Sequence, residues 1–273
     1  MKGKTIVVAV VLLVAIWATG PVLAGEMISP VAKAPVAAPV EVESDWDVDV
    51  WLDGWLTQAS MRIQGSGPLM ASPRIFLSFG DLIQNLDWIV PIGADIRYKR
   101  IGFIPDLYAA KISGGGSTPE GSLFTRASVG MKLSILNLAG YYRLLDEERF
   151  SVDVIGGARY LYLRQELALS GGRGGAIVGG TASSETTSKV WDGVVGARVA
   201  HQITDRLYGW VYGDVGAGGS DLTWQVWANL GYQVTDSMSV LAGYRYQTWE
   251  GGNETADASL TLSGPVVTVN WSF

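Results

Sequence analysis

The chain has 273 residues, 48% of them hydrophobic and 17% charged, with 35 Gly, 11 Trp and a formal charge of -6. It has no Cys, which excludes a disulfide framework, thiolate chemistry and Cys-ligated metal, and a net acidic chain without a basic block argues against nucleic acid as a partner. One domain of this length is allowed, and the Trp excess suits a membrane interface, where an amphipathic ring sits at headgroup level.

Lys2 and Lys4 precede the apolar run Ile6–Ile16, and Val22-Leu23-Ala24 offers a small-residue cleavage site. Residues 1–24 therefore read as a cleaved secretory signal peptide. Residues 25–45 hold Pro30, Pro35 and Pro39 without periodicity and read as a Pro/Ala-rich periplasmic tether. No later stretch approaches eighteen consecutive apolar residues, so any membrane crossing by residues 46–273 must be made by strands.

Those residues divide into ten segments of period two, the signature of strands with one apolar and one polar face. The first, 46–61, has Val48, Val50 and Leu52 on one parity and Trp51 and Trp55 on the other. A long loop at 62–85 follows, with one helical turn expected within 78–86. The second strand, 87–98, sets Trp88, Val90, Ile92, Ala94, Ile96 and Tyr98 against Asp95 and Arg97; the third, 101–112, sets Ile101, Phe103 and Leu107 against Asp106 and Tyr108. Pro91 and Pro105 each remove a ladder donor, so bulges are expected there. In the fourth, 122–143, Ala127, Val129, Met131, Leu133 and Ile135 alternate with Arg126, Ser128, Gly130, Lys132 and Ser134. The fifth, 150–166, sets Val152, Val154, Ala158, Tyr160 and Tyr162 against Asp153 and Arg159. Residues 167–188, rich in Gly, Ser and Thr, read as a long mobile loop.

The sixth strand, 189–203, sets Val195, Ala197 and Val199 against Asp192 and Arg198, and the seventh, 207–217, sets Val211 and Val215 against Trp210, Tyr212 and Asp214. The eighth, 221–234, alternates most regularly, with Leu222, Trp224, Val226, Ala228, Leu230, Tyr232 and Val234 on one face. The ninth, from Met238, sets Val240, Ala242, Tyr244 and Tyr246 against Arg245 and Gln247. In the last, Leu260 and Leu262 are out of phase with Val267 and Val269, so a bulge is expected near Gly264-Pro265. Connections alternate between short turns at 99–100, 144–149, 204–206 and 235–237 and mostly longer loops, with 218–220 the exception; short periplasmic turns and longer outer loops are the membrane-barrel rule.

The tail ends on Trp271 and Phe273, and here the chain resembles bacterial outer-membrane β-barrel proteins. The resemblance implies that these two aromatics form an assembly signal read by the barrel-assembly machinery. The stretches Ser220–Gln225, Gly243–Tyr246 and Ser263–Val266 also look like those of poorly characterised Gram-negative outer-membrane barrels, a resemblance covering 46–273 that transfers no settled function.

The expected fold is an all-β, transmembrane, antiparallel up-and-down barrel of ten strands, eight being the alternative count and a soluble β-sandwich the alternative fold. With the polar face inward, the lumen collects Asp95, Arg97, Asp106, Arg126, Lys132, Asp153, Arg159, Asp192, Arg198, Asp214 and Arg245, a charge-balanced network pairing across neighbouring strands. The only His, His201, falls on an apolar parity near a turn, away from any nucleophile it would need as a base. No catalysis, metal site or cofactor is expected. The expected function is structural or a passive pore for small solutes, the alternative being surface recognition or adhesion through 62–85 and 167–188. Expected partners are outer-membrane lipid and lipopolysaccharide. Whether residues 70–86 enter the bore as a plug is not legible in the sequence.

Overall fold

The computed structural model describes residues 45–62, 74–117, 124–178, 180–251 and 259–273. The predicted signal peptide, nearly all of the tether and residues 63–73 of the predicted first loop lie outside them.

The first strand is β1 (Trp46–Trp55) followed, past Leu56-Thr57, by β2 (Gln58–Arg62). Both keep one register against β12 (Ser259–Ser272), with Trp55 facing Val266 and Ala59 facing Leu262, so together they make one wall position. β4 (Leu86–Tyr98), β5 (Ile101–Ser117), β6 (Arg126–Glu147), β7 (Phe150–Ser170), β8 (Thr181–Gln202), β9 (Leu207–Gly218), β10 (Leu222–Thr235) and β11 (Met238–Glu250) pair in sequence, and β12 returns to β1. This is a closed antiparallel barrel of ten positions among the described residues. β3 (Arg74–Leu77) adds a hairpin to β2.

The row of partners that leaves Arg97 passes Gly102, Tyr141, Ile155, Gly196, Asp214, Gln225, Gln247 and Leu262 and arrives at Ala59. Arg97 itself faces Asp47 on that strand. The register is displaced by the twelve residues between Asp47 and Ala59 in one circuit, which for ten strands sets a tilt of about 40°.

Toward the end with the short turns, the outer face is apolar: Ile101 is 65% exposed and Val195 63%. The inner face there is charged. That is the inverse of a water-soluble barrel, and it is the arrangement that hydrocarbon requires. Outward aromatics stand at two levels, Tyr98 and Trp88 on β4 and Tyr232 and Trp224 on β10. Separations of about nine residues on tilted strands place these levels ~22 Å apart along the axis, close to the ~25 Å apolar band of membrane barrels.

Beyond the second aromatic level the wall inverts. Leu133, Ile135, Leu161, Leu163, Leu260 and Leu262 point inward and are buried. This corrects the expectation for β6. Asn137 faces Asp106 across the inner side, so the odd residues of β6 face in and Arg126 and Lys132 lie on the outer wall, exposed. The reason is physical: above the hydrocarbon a barrel buries its apolar face inside, as a soluble one does, so the polar parity points out. The same inversion explains β12. Its register against β11 runs unchanged from Trp249–Leu260 to Met238–Trp271, so no bulge forms at Gly264-Pro265 and the two leucines simply face the interior.

The proline bulges are also absent. The β4–β5 register is the same at Pro91–Tyr108 and at Ile96–Phe103, with only an interruption opposite Pro105; the shift lies between Leu86 and Trp88. Pro91 stands just beyond Leu52–Ile92, where the β1–β4 pairing ends, so a missing donor on that side deprives no partner. Residues 167–188 are not a loop: β7 runs to Ser170, a short helix α2 (Gly172–Val178) caps it, and β8 starts at Thr181. β6 to β8 are thus 21 to 22 residues long, twice a membrane crossing, and with β5 they raise a four-stranded sheet beyond the rim.

The helical turn expected at 78–86 is α1 (Phe79–Gln84). Its Ser78 hydroxyl accepts from the Asp81 N–H at 3.3 Å and the Asp81 carboxylate accepts from the Ser78 N–H at 3.0 Å, a reciprocal cap. The Ser78 hydroxyl also donates to that carboxylate at 2.6 Å, and this bond first, then the one from the N–H, holds the Asp81 carboxyl below its usual range. Leu77, Leu82, Leu86 and Ile89 pack onto the inner apolar cluster, so residues within 74–89 help to close the far half.

Candidate functional site

The lumen is built in layers, because inward residues recur every second position on tilted strands. Nearest the short turns, Arg198 on β8 donates to Asp153 on β7 at 2.9 Å and to Asp95 on β4 at 2.7 Å. Arg143 on β6 donates to Asp153 at 2.8 Å, and the Tyr141 hydroxyl donates to Asp95 at 2.8 Å. At the mouth, Arg97 pairs with Asp47, and Asp49 accepts from Asn270 and Ser272.

Nearer the middle is a second layer. Arg159 on β7 donates to Asn137 on β6 at 2.8 Å, to Asp214 on β9 at 2.6 Å and to Thr223 on β10 at 2.9 Å. Arg245 on β11 donates to Asp106 on β5 at 2.5 Å and to Gln225 at 3.0 Å. Its guanidinium lies 4.9 Å from the Trp55 ring centroid and 4.5 Å from that of Trp227. Asn137 donates to Asp106 at 2.9 Å, so the two arginine clusters are one network. Both guanidinium side chains are 1% exposed as residues. Between the two layers lies a cavity of about 210 Å³, lined among others by Asp49, Asp95, Arg198, Tyr208, Trp210 and Trp227. Above the second layer comes the apolar cluster of Trp249, Ile135, Leu161 and Leu262, with Trp55 beside Arg245 at its base.

Of the residues expected in the lumen, Asp95, Arg97, Asp106, Asp153, Arg159, Arg198, Asp214 and Arg245 are there and bonded to one another or to Asp47, Asn137, Thr223 and Gln225. Asp192 faces in but does not join Arg159; one oxygen accepts from the Ser220 N–H at 2.8 Å and the other has no partner. Arg126 and Lys132 are outside. The pairing also differs in kind from the expectation. Arg245–Asp106 and Arg198–Asp95 reach across the bore, not between neighbouring strands. Sequence reasoning missed Arg143, Asn137, Asp47, Asp49 and Asp53. Their parity beside Asp153, Asp106 and Trp51 was the available signal. With these counted, inward Asp47, Asp49, Asp53, Asp95, Asp106, Asp153, Asp192 and Asp214 outnumber Arg97, Arg143, Arg159, Arg198 and Arg245 among the described residues. Each of the buried guanidinium groups is hydrogen-bonded to carboxylates and amides that match its fork, which offsets the cost of taking it out of water.

His201 lies on the outer face against Phe150, ring centroids 6.4 Å apart, and among the described residues no group of three or more His, Asp and Glu is placed to hold a metal ion.

No protein-family model matches the chain, and no curated protein matches it in sequence. Among solved structures it is similar to Ail, the attachment invasion locus protein of Yersinia pestis, at 12% identity and a TM-score of 0.32, covering 84% of this chain and 99% of that one. It is also similar to the translocator domain of the autotransporter NalP from Neisseria meningitidis, at 15% identity and a TM-score of 0.40, covering 83% and 88%. The Pseudomonas putida toluene transporter TodX is similar at 8% identity and a TM-score of 0.31, covering 83% and 89%. At such identities and scores no residue or role passes from them to this chain. The solved structures that it resembles are bacterial outer-membrane β-barrel proteins.

Proposed function

We propose that this chain is a sealed barrel of the Gram-negative outer membrane that anchors the raised β5–β8 sheet at the cell surface, and that it acts there by recognition or adhesion. The observation that carries the reading is the second lumen layer: Arg159 and Arg245 are almost fully buried and bonded across the bore, with an apolar cluster above them. A water-filled channel would leave such side chains hydrated. The working surface is then the sheet together with β3, α1 and the far ends of β7 and β8 with α2 between them. Refolded full-length protein in planar bilayers tests the seal: no regular conductance steps are expected, and reproducible steps from the unaltered protein would overturn it. Because the chain has no Cys, a single Ser183→Cys variant tests the orientation. A membrane-impermeant maleimide should label it on intact cells, and protection there with labelling only after lysis would refute the placement.

A passive pore for small polar solutes is the second reading, favoured by the cavity of about 210 Å³ below the seal. Its lining carries both signs, Asp49, Asp95 and Asp106 with Arg143 and Arg198, so such a pathway would select weakly between ions.

A further inference from the structure

Just beyond the far aromatic level, four neighbouring strands each direct one base outward: Lys111 on β5, Lys132 on β6, Arg164 on β7 and Lys189 on β8. The register makes Lys111 the direct partner of Lys132, and Lys132 the direct partner of Arg164. Lys189 faces Tyr162, one step away. Like charges directly opposite one another destabilise a sheet, so three in one row call for an anion. The chain's own carboxylates reach only part of the row. Asp87 stands 3.0 Å from the Lys111 ammonium, and Glu166 and Glu185 hold Arg164 at 2.8 and 2.7 Å. Among the described residues, Lys132 and Lys189 have no carboxylate within ion-pair distance.

The height of the row matters as much as its charge. Immediately toward the short-turn end are Trp88 and the Tyr160–Trp191 pair, with ring centroids 4.6 Å apart, the rings expected where hydrocarbon gives way to headgroups. Below them the same strands present Leu107, Leu136, Ala158 and Val195 outward. At the same height the strands β10 and β12 of the opposite wall carry Leu222 and Thr261. The four bases thus stand on neighbouring strands, above an apolar strip and behind an aromatic edge; on the opposite wall Arg62 of β2 is the register partner of Arg74 of β3.

The structure assigns this face to a phosphate-bearing glycolipid of the outer leaflet, its phosphates between Lys132, Arg164 and Lys189 and its acyl chains along the apolar strip. The choice of glycolipid rests on the outer-membrane reading above; the need for a phosphate at headgroup level does not. Native mass spectrometry of the detergent-solubilised full chain tests it with bisphosphorylated lipid A as probe. One lipid should be retained, and the Lys132→Gln/Lys189→Gln double variant should weaken retention at least tenfold, while Arg126→Gln, outside the row, should not. Both lysines are exposed, and heat-modifiable gel mobility confirms that the variants fold. Equal retention of dephosphorylated lipid A, unchanged binding by the double variant, or displacement of the lipid by millimolar inorganic phosphate would overturn the assignment. Preference for phosphatidylglycerol over lipid A would overturn the glycolipid. Gradient fractionation of inner and outer membranes tests the location separately, so the two readings fail independently.

Discussion

Replacing Arg245 by Met keeps the volume but removes every hydrogen bond of the guanidinium. Asp106, 5% exposed, then keeps only the Asn137 amide, with Asp53 nearby at 4% exposed and without a base of its own. Stranding one member of a buried pair costs ~3–5 kcal/mol, and the two ring faces of Trp55 and Trp227 lose their cation, worth up to about 2 kcal/mol where water is excluded. The Arg245→Met barrel should therefore unfold from vesicles at a markedly lower urea midpoint, by ~3–5 kcal/mol on linear extrapolation. Removing both charges is the sharper half of the experiment. The Arg245→Met/Asp106→Leu double variant leaves no stranded carboxylate and should recover to within ~1–2 kcal/mol of the unaltered protein. A single-variant loss under ~1 kcal/mol, the range of solvated pairs, would refute the reasoning, since the pair would then be hydrated and the bore open.

Gly102 lies under the Tyr141 ring, which a Cβ at that position would strike; Gly102→Val should displace the ring, break its bond to Asp95 and destabilise the barrel by roughly 1–3 kcal/mol, read by the same urea titration. Val226→Arg on the outer wall should cost ~2–4 kcal/mol near the hydrocarbon midplane, whereas Ser183→Arg on the raised sheet should cost less than ~1 kcal/mol; equal costs would place both in one medium. Phe273 donates its N–H to Val48 at 2.9 Å and is 81% exposed, so deleting it removes little packing; a large drop in membrane-inserted protein in cells, with unchanged refolding in detergent, would support its role with Trp271 as an assembly signal, and equal losses in both would count against it. Asp81 has a lowered carboxyl pKa in the fold because of Ser78, so its contribution is present above the ordinary carboxylate pKa and is lost as pH falls through the lowered folded value. Amide exchange at residues 79–84 should accelerate across that acidic window, and an Asp81→Asn variant should show a flatter profile.

The strand positions and the inward parity of most of the wall were legible because a lipid-facing apolar residue alternates with a lumen-facing polar one. β10, from Leu222 to Thr235, shows it with an unbroken apolar outer parity and, apart from Trp227 and Gly231, a polar inner one. What period two does not reveal is which face is out. In β6 the apolar set Ala127 to Ile135 belongs to a region outside the hydrocarbon and faces in, while Leu136 and Leu138 on the other parity face the lipid. Asn137, polar and midway, was the clue to that inversion. Leu260 and Leu262 misled in the same way, and a bulge was inferred where the strand runs straight. The segment 167–188 looked like a loop because Gly and Ser dominate its middle, yet its Thr and Leu residues favour pleated pairing, and Leu167 faces Ser184 in a continuous ladder. The partners across the bore were beyond reach, because Arg245 and Asp106 are 139 residues apart and meet only once the register around the whole ring is fixed.

Single spin labels walked along β6 from Ser128 to Leu138 in reconstituted vesicles test the inverting wall most directly. The account predicts high oxygen and low aqueous-relaxant access at Leu136 and Leu138, the reverse at Lys132 and Ser128, and restricted access to both at Leu133 and Ile135. Oxygen-rich lipid exposure at Leu133 and Ile135, with Lys132 buried, would contradict it.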